Sequence, residues 1–302
     1  MLEKISVLKK AAPYLRMYKG RIFVIKLGGE IFASDQALAR VTEQAALLHD
    51  LGIHIVLVHG GGAAASALAG RLGIPVEQVN GRRITSAETL EVAKMAFNGQ
   101  LNTDLLAALS RQGVPAVGIS GVDAGLIVAH RRPVTAVTDA KTGETRQVDF
   151  GFVGDVDEVN PEVVRHLIDG GFVPVVSSLA GGEGGAVYNV NADTVATQLA
   201  AALDATKLVL LTSAPGVLEN EDDPSSVVSY MDRPRLEEVL ETSATGGMKA
   251  KLEACRDALD GGVPRTHIVS GLKADSLLIE IFTNEGCGTL IEQSPPRPSQ
   301  NP

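Results

Sequence analysis

The chain has 302 residues, of which 45% are hydrophobic and 21% charged, a composition typical of a folded globular protein. Its formal net charge is −9 and only 4% of its residues are aromatic, with no tryptophan, so neither a basic surface nor base-stacking platforms for nucleic acid are expected. The two cysteines, Cys255 and Cys287, cannot build a disulfide framework, and no Cys/His motif predicts a metal site. A reducing compartment, the cytoplasm, is the expected location.

The N-terminal segment has apolar residues at helical spacing over residues 2 to 18, which predicts a helix that Pro13 ends or kinks. Charged residues interrupt every apolar run in this segment, so it fits neither a secretion signal nor a membrane span. Two interpretations of residues 1–20 stay open. The helix either packs on its own domain or forms an oligomerisation arm exchanged between subunits.

From residue 21 onward, short apolar runs alternate with helical segments, the pattern of parallel strands buried on both faces. Helices are predicted over 35–50 and from 63 onward, and the predicted strands cover 22–27, 53–59, 115–119, 172–176, 207–211 and 266–270. Between about 126 and 158, shorter segments rich in glycine and charge predict antiparallel hairpins at a rim. The fold class is therefore α/β, a three-layer αβα sandwich with a mainly parallel central sheet. The proline-rich tail, 293–302, is expected to be disordered.

Three glycine clusters directly follow predicted strands, at 28–29, 60–62 and 181–185. Open α/β sheets bind ligands beyond the carboxyl ends of their parallel strands, so all three clusters are expected at one edge. Glycine there allows close approach of the backbone and directs amide hydrogens at anions, although a tight turn remains the alternative for each cluster. Neither GxGxxG nor GxxxxGK[ST] occurs at these turns, which argues against a dinucleotide fingerprint and a Walker loop.

Charged residues near these glycines indicate phosphoryl transfer. Lys26 interrupts a buried strand, where an ammonium group needs a counter-charge or an anionic ligand; a surface lysine is the alternative. Lys249 and Lys251 follow the glycines of TGGMKAK, and Asp193 lies in YNVNADT, where an N-terminal cap is the alternative. Phosphoryl transfer depends mainly on positioning and charge neutralisation, which such residues supply. Hydrolysis is disfavoured because Ser120 lacks the GxSxG spacing.

Eight segments carry a resemblance that covers about residues 20 to 292: VIKLGG, LVHGGG, VNGRRIT, VGISGVDAGLI, FVGDVDEVNPE, YNVNADT, TGGMKAK and FTNEGCGTLI. Together they resemble the amino acid kinase family, and within it the members that act on N-acetylglutamate. The resemblance implies that residues 21–185 bind the amino acid and make a dimer contact, and that residues 186–292 bind ATP. The implied reaction is ATP-dependent phosphorylation of the side-chain carboxylate of N-acetyl-L-glutamate, giving N-acetylglutamyl 5-phosphate in arginine biosynthesis.

The same resemblance implies roles for single residues. Lys26 and Lys251 would neutralise the transferring phosphoryl group, and Asp193 would hold both lysines in place. The implied nucleotide- and phosphate-binding residues are Gly28, Gly29, Ser213, Gly247 and Lys249, and the implied substrate-binding residues are Gly60, Gly61, Arg83 and Asn189. Mg²⁺ would enter with ATP, bridging its phosphate oxygens, and no metal site made of protein side chains is expected. The carboxylate acceptor is already ionised at neutral pH, so no general base is required.

The N-terminal helix resembles the extension of arginine-inhibited, hexameric family members, which implies an arginine effector and a homo-dimer or hexamer. Two alternatives to the implied activity stay open. One is a kinase of the same fold that acts on a related acyl amino acid. The other is a non-catalytic sensor of arginine or an acyl amino acid, motivated by Ser213, where the family usually has an acidic residue. Retention of Lys26, Asp193 and Lys251 argues against a sensor.

Overall fold

The central feature of the computed structural model, which describes residues 12–138 and 143–293, is a large sheet. The strands in chain order are β1 (Ile22–Leu27), β2 (His54–His59), β3 (Gln78–Val79), β4 (Arg82–Arg83), β5 (Ala116–Gly121), β6 (Ile127–Arg131), β7 (Thr135–Thr138), β8 (Thr145–Val148), β9 (Gly154–Val159), β10 (Val173–Gly181), β11 (Val187–Asn189), β12 (Lys207–Thr212), β13 (Tyr230–Asp232), β14 (Arg265–Ser270) and β15 (Thr289–Glu292). Among the described residues, eleven of these strands form the sheet, while β3 pairs with β4 and β7 with β8 in separate hairpins.

Helices occupy most of the chain between the strands. They are α1 (described over residues 12–18), α2 (Asp35–Asp50), α3 (Gly62–Leu72), α4 (Ala87–Lys94), α5 (Asn102–Arg111), α6 (Glu162–Asp169), α7 (Ala192–Ala202), α8 (Arg233–Thr242), α9 (Gly246–Asp260) and α10 (Ser276–Phe282). A π-helical stretch, Met95–Leu101, joins α4 to α5. Local sequence sets several of the starts: the Ser34 and Ser86 side chains accept from backbone amides and cap α2 and α4.

The order of the sheet is β13-β15-β14-β12-β1-β2-β10-β6-β9, with β5 and β11 also paired to β10. The neighbours β12, β1, β2 and β10 are parallel, so their carboxyl ends point to the same side of the sheet. Most residues of these strands are buried on both faces, which explains why they are continuous apolar runs in the sequence.

Side-chain alternation along the strands separates two cores, one on each face of the sheet. On one face, Val24 and Val58 pack with residues of α7, α8 and α9. On the other, Ile25 and Leu57 pack with residues of α2, α5 and α10. The predicted three-layer αβα sandwich is confirmed, because the sheet lies between two helical layers.

The predicted rim hairpins are confirmed, but the third glycine cluster lies elsewhere than expected. Strands β6 and β9 pair antiparallel, as do β7 and β8. Strand β10 ends at Gly181 instead of 176, and Ser177 in it already pairs with His59, the last residue of β2. Four more residues carry the chain about 13 Å further, where Gly184 and Gly185, both with positive φ, turn it into β11. The expectation of one shared edge therefore holds for two clusters.

The described part of α1 packs on its own chain. The Tyr18 side chain is buried, its ring lies 5.1 Å from that of Phe23, and the Lys207 ammonium is 5.2 Å from its centroid. The predicted beginning of this helix, before residue 12, and all of the predicted tail except residue 293 lie outside the described residues. Among the helices of the described residues, none is both long and apolar enough to cross a membrane.

Candidate active site

Three charged side chains meet where β1, α7 and α9 come together. The Lys26 ammonium is 2.9 Å from one carboxylate oxygen of Asp193, and the Lys251 ammonium is 3.5 Å from the other. The three side chains are 10%, 8% and 16% exposed, so the charges are largely removed from water and stabilise one another. The surface alternative for Lys26 is therefore wrong.

The start of α7 explains how Asp193 is free to pair with both lysines. Asn191 is the N-cap, and its side-chain oxygen accepts from the backbone amides of Asp193 and Thr194. Because Asn191 satisfies these amides, the Asp193 carboxylate is left to face Lys26 and Lys251. The cap interpretation of Asp193 is wrong.

The electrostatics of the cluster favour an anionic ligand. Burial alone raises the pKa of Asp193, but the charges of Lys26 and Lys251 outweigh it, so that the pKa lies below its ordinary value. The carboxylate is thus ionised at neutral pH, and two ammonium groups against one carboxylate leave one net positive charge. This excess positive charge is what the anionic group of a ligand would neutralise.

Gly28 and Gly29, the first glycine cluster, differ in whether their backbone amide is available to a ligand. The Gly28 amide donates to the Leu211 carbonyl of β12 at 2.9 Å, so the predicted contribution of that amide to a ligand is already used by the sheet. A Cβ added at Gly29 would meet no atom within 4 Å, and the residue is exposed. Of this pair, Gly29 is the one whose amide can face a phosphate.

The second glycine cluster is packed tightly beside the charged residues. A Cβ at Gly60 would lie 3.2 Å from the Ala192 Cβ, next to Asp193, and one at Gly61 would lie 2.2 Å from the Phe97 ring. Glycine is therefore required at 61 by packing alone. Helix α3 begins at Gly62 with Gly61 as N-cap, which places backbone amides and the positive end of a helix dipole at this edge.

The predicted substrate residues lie beside this cluster. Arg83, at the end of the β3–β4 hairpin, donates through Nη2 to the Gly62 carbonyl and to Ser66 Oγ, both at 2.6 Å. Asn189 donates to Thr85 Oγ1 at 3.2 Å. Since the bonds of Arg83 to the described residues use Nη2 alone, its other guanidinium N–H groups can serve a carboxylate.

The predicted nucleotide residues lie on the other side of Lys26. Ser213 directly follows β12, the neighbour of β1, and is exposed. Gly247 and Lys249 are exposed in the first turn of α9. Two residues along an α-helix correspond to a rotation of about 200°, so Lys249 points to a different side from Lys251, and Lys251 is the lysine that reaches Asp193.

Two residues that lie beside the site, Asn191 and His59, had no role assigned to them from the sequence. Asn191 has the residue type and position of an N-cap, which would have identified it. His59 ends β2 and has no sequence signal beyond its place before the glycines. Within residues 12–138 and 143–293, no group of three or more His, Cys, Asp or Glu residues is arranged to hold a metal ion.

Comparison with known proteins agrees with this geometry. The model of the amino acid kinase family matches residues 21–270. The chain belongs to the amino acid kinase family. It is 50% identical over 287 residues to acetylglutamate kinase of Myxococcus xanthus, covering 95% of this chain and 93% of that protein. It is 46% identical over 291 residues to acetylglutamate kinase of Symbiobacterium thermophilum, covering 96% and 98%.

A solved structure has the same fold. N-acetylglutamate synthase from Neisseria gonorrhoeae, complexed with coenzyme A and N-acetyl-glutamate, superposes on this amino acid kinase with a TM-score of 0.81 at 26% identity. The match covers 96% of this chain, which spans 63% of the length of that one. The similarity to this solved structure therefore also confirms the predicted fold class.

Proposed function

We propose that this protein is a transferase that uses ATP to phosphorylate the side-chain carboxylate of N-acetyl-L-glutamate, giving N-acetylglutamyl 5-phosphate in arginine biosynthesis. The observation that carries the proposal is the buried Lys26–Asp193–Lys251 cluster with its net positive charge beside two glycine turns. Relatives at 40% to 50% identity that cover nearly the whole chain are named acetylglutamate kinase, which supports the choice of substrate. A cytoplasmic location is part of the proposal, in keeping with two free cysteines.

The residues can perform the reaction without a general base. The acceptor carboxylate attacks as an anion, so the obstacle is repulsion between it and the phosphoryl oxygens. Lys26 and Lys251 neutralise the charge on the transferring group, and Asp193 holds both ammonium groups in place before the reaction. Arg83 and Asn189 hold the acyl amino acid, while Ser213, Gly247 and Lys249 lie on the nucleotide side. Mg²⁺ arrives as part of the Mg-ATP substrate.

The two proposed lobes of the protein meet at the cluster of Lys26, Asp193 and Lys251. Residues 21–185 supply Lys26, the second glycine cluster and Arg83, and residues 186–292 supply Asp193 and the helix that carries Lys251. The acyl amino acid binds mainly the first lobe, with Asn189 of the second lobe as an additional contact, and ATP binds the second lobe, so that phosphoryl transfer takes place between them. The dimer contact belongs to the first lobe, and a homo-dimer or hexamer is the proposed assembly.

A coupled ADP-release assay with Mg-ATP tests the substrate. We expect turnover with N-acetylglutamate and little or none with glutamate or aspartate, because their free ammonium group carries a charge that the acylated substrate lacks. N-acetylaminoadipate, one methylene longer, is the matched probe of the competing kinase interpretation. Preference for it over N-acetylglutamate would reassign the substrate. Absence of turnover with all four acids, together with thermal stabilisation by an acyl amino acid, would favour the sensor.

Regulation by arginine is a further part of the proposal and rests on the resemblance of the N-terminal helix. A cavity lies between α1 and the last part of the chain and is lined by Tyr14, Tyr18, Lys207, Arg265, Glu280, Glu285 and Glu292, among others. Glu280 is held by His267 and by the amides of Cys287 and Gly288, whereas Glu285 is exposed at the cavity. A carboxylate in that position suits the guanidinium or ammonium group of arginine.

Arginine should raise the midpoint of thermal unfolding, since a ligand of the folded state stabilises it. In Glu285→Gln we expect about tenfold weaker arginine binding, the loss of one charge-assisted hydrogen bond, measured by calorimetry. Glu241→Gln, an exposed glutamate of α8, is the control. Equal affinity in the wild type and both variants would remove Glu285 from the effector site, and no binding to the wild type would remove arginine as an effector.

A further inference from the structure

His59 lies at the end of β2, on the opposite face of the sheet from Lys26. Its side chain is fully buried, and its ring is 5.5 Å from that of Phe32. Leu57, two residues earlier, belongs to the core shared with α2 and α5, and alternation places His59 on that same face. Lys26 pairs with Val58 in the sheet and therefore points to the other face, toward α7.

The hydrogen bonds of His59 define one protonation state of its ring. Nδ1 is 2.9 Å from the Gly60 carbonyl oxygen, and Nε2 is 3.4 Å from Asn102 Nδ2. Because a carbonyl oxygen only accepts, Nδ1 carries the hydrogen, and Nε2 is left to accept from the Asn102 amide. Burial lowers the pKa of His59 to about 4, although the bond to Gly60 acts in the opposite direction, so the ring is neutral at pH 7.

Asn102 is itself held in place by neighbouring strands. Its Nδ2 is 3.3 Å from the Val175 carbonyl of β10. Its Oδ1 packs against Gly118 of β5, where an added Cβ would lie 1.9 Å from that oxygen. A continuous series of contacts thus joins the interior of the sheet to the Gly60 carbonyl through Asn102 and His59.

The orientation of the Gly60 carbonyl determines the direction of the next amide. The described residues contain no cis peptide, and in a trans peptide the C=O and the following N–H point in opposite directions. With the Gly60 carbonyl turned to His59, the Gly61 N–H points away from the α2–α5 layer, to the face that carries Lys26 and Asp193. Neither residue of a Gly–Gly peptide has a side chain that would fix this orientation.

We propose that His59 is a positioning residue that locks the Gly60–Gly61 peptide, so that the Gly61 amide is presented to the anionic oxygens of the reacting groups. The inference rests on the proposed phosphoryl transfer at the Lys26 cluster. An amide fixed before reaction stabilises developing charge at no cost in reorganisation. His59 does not act as a base here, because it lies on the opposite face and the acceptor carboxylate is already ionised.

Substituting His59 by asparagine or by glutamine separates the effect of its hydrogen bond to Gly60 from the effect of losing the ring. In His59→Asn the side-chain amide nitrogen takes the place of Nδ1 and can still donate a hydrogen bond to the Gly60 carbonyl. In His59→Gln the longer side chain places this nitrogen near the position of Nε2, where it cannot donate to Gly60. We expect kcat in His59→Gln to fall about tenfold or more, a fraction of the loss on deleting an oxyanion donor. In His59→Asn we expect kcat within about threefold of wild type. The KM for Mg-ATP should change little in either variant.

A second measurement does not depend on turnover. In an amide-resolved nitrogen–proton spectrum, Gly61 should give a single sharp signal in the wild type and in His59→Asn, and a broadened or split one in His59→Gln, as its peptide becomes free to rotate. Equal kcat and equal Gly61 signals in the two variants would overturn the role of His59. Wild-type inactivity on every acid would instead contradict the proposed function, and the Gly61 signal would still decide the role of His59. If His59→Gln does not fold, His59→Phe, which keeps an aromatic ring without the donor, replaces it in both measurements.

Discussion

Lys26→Ala should lower kcat by about two orders of magnitude or more, the scale seen when a preorganised charge-stabilising group is removed. The ammonium is largely buried, 2.9 Å from Asp193, and its loss reduces the net charge of the cluster from +1 to zero. A neutral cluster no longer offsets the repulsion between the two reacting anions. The coupled ADP-release assay with N-acetylglutamate measures the effect on kcat and on both KM values.

The control for this variant is Lys94→Ala. Lys94 is a partly exposed lysine of α4, ion-paired to the exposed Glu91, and a surface pair of this kind contributes little. Its kcat should stay within about twofold of wild type. A Lys26→Ala enzyme with near-normal kcat would contradict the catalytic role of the cluster.

Asp193→Asn should also lower kcat, by about tenfold or more, while the protein stays folded at 25 °C. The amide cannot balance two ammonium groups, so Lys26 and Lys251 repel one another and lose their fixed positions. Removing one partner of a buried ion cluster costs about 3 kcal/mol of folding stability. Circular dichroism and the midpoint of thermal unfolding measure the fold, and kcat measures the site.

The pH dependence of stability gives an independent test of the same variant. The pKa of Asp193 is lowered in the folded state, so its contribution to stability is present above its unfolded pKa of about 3.9 and is lost as the pH falls further. The difference in unfolding midpoint between wild type and Asp193→Asn should therefore shrink below about pH 4. For comparison, Asp204→Asn, at a 91% exposed aspartate, should behave as wild type. A pH-independent difference would show that the carboxylate charge is not what stabilises the cluster.

Much of this arrangement could be predicted because its physical causes are local in sequence. The strand runs of β1, β2 and β12 are mostly apolar because both of their faces are covered. A lysine inside one of them has few explanations other than a buried partner, which is why Lys26 already indicated a site. The third glycine cluster was misplaced because Ser177 and Ser178 look like the start of a loop, yet both are buried in β10.

The remaining details depend on contacts between distant residues. The ring of Phe97 lies against Gly61, and the amide of Gly28 is used by Leu211, and no local pattern indicates either contact. The choice between Lys249 and Lys251 likewise depends on which face of α9 turns to α7. The N-cap at Asn191 is the exception, since its residue type and position were readable in the sequence.

The three charges come from well-separated parts of the chain, which has a consequence for protein synthesis. Lys26 and Asp193 can pair as soon as α7 packs against β1, but together they are neutral. Lys251 lies 58 residues beyond Asp193 and supplies the excess positive charge. A nascent chain released only as far as α8 would hold a neutral pair with little attraction for nucleotide. The net positive charge of the cluster would arise only once α9 had emerged and docked, so that incomplete chains would compete less well than the finished protein for ATP.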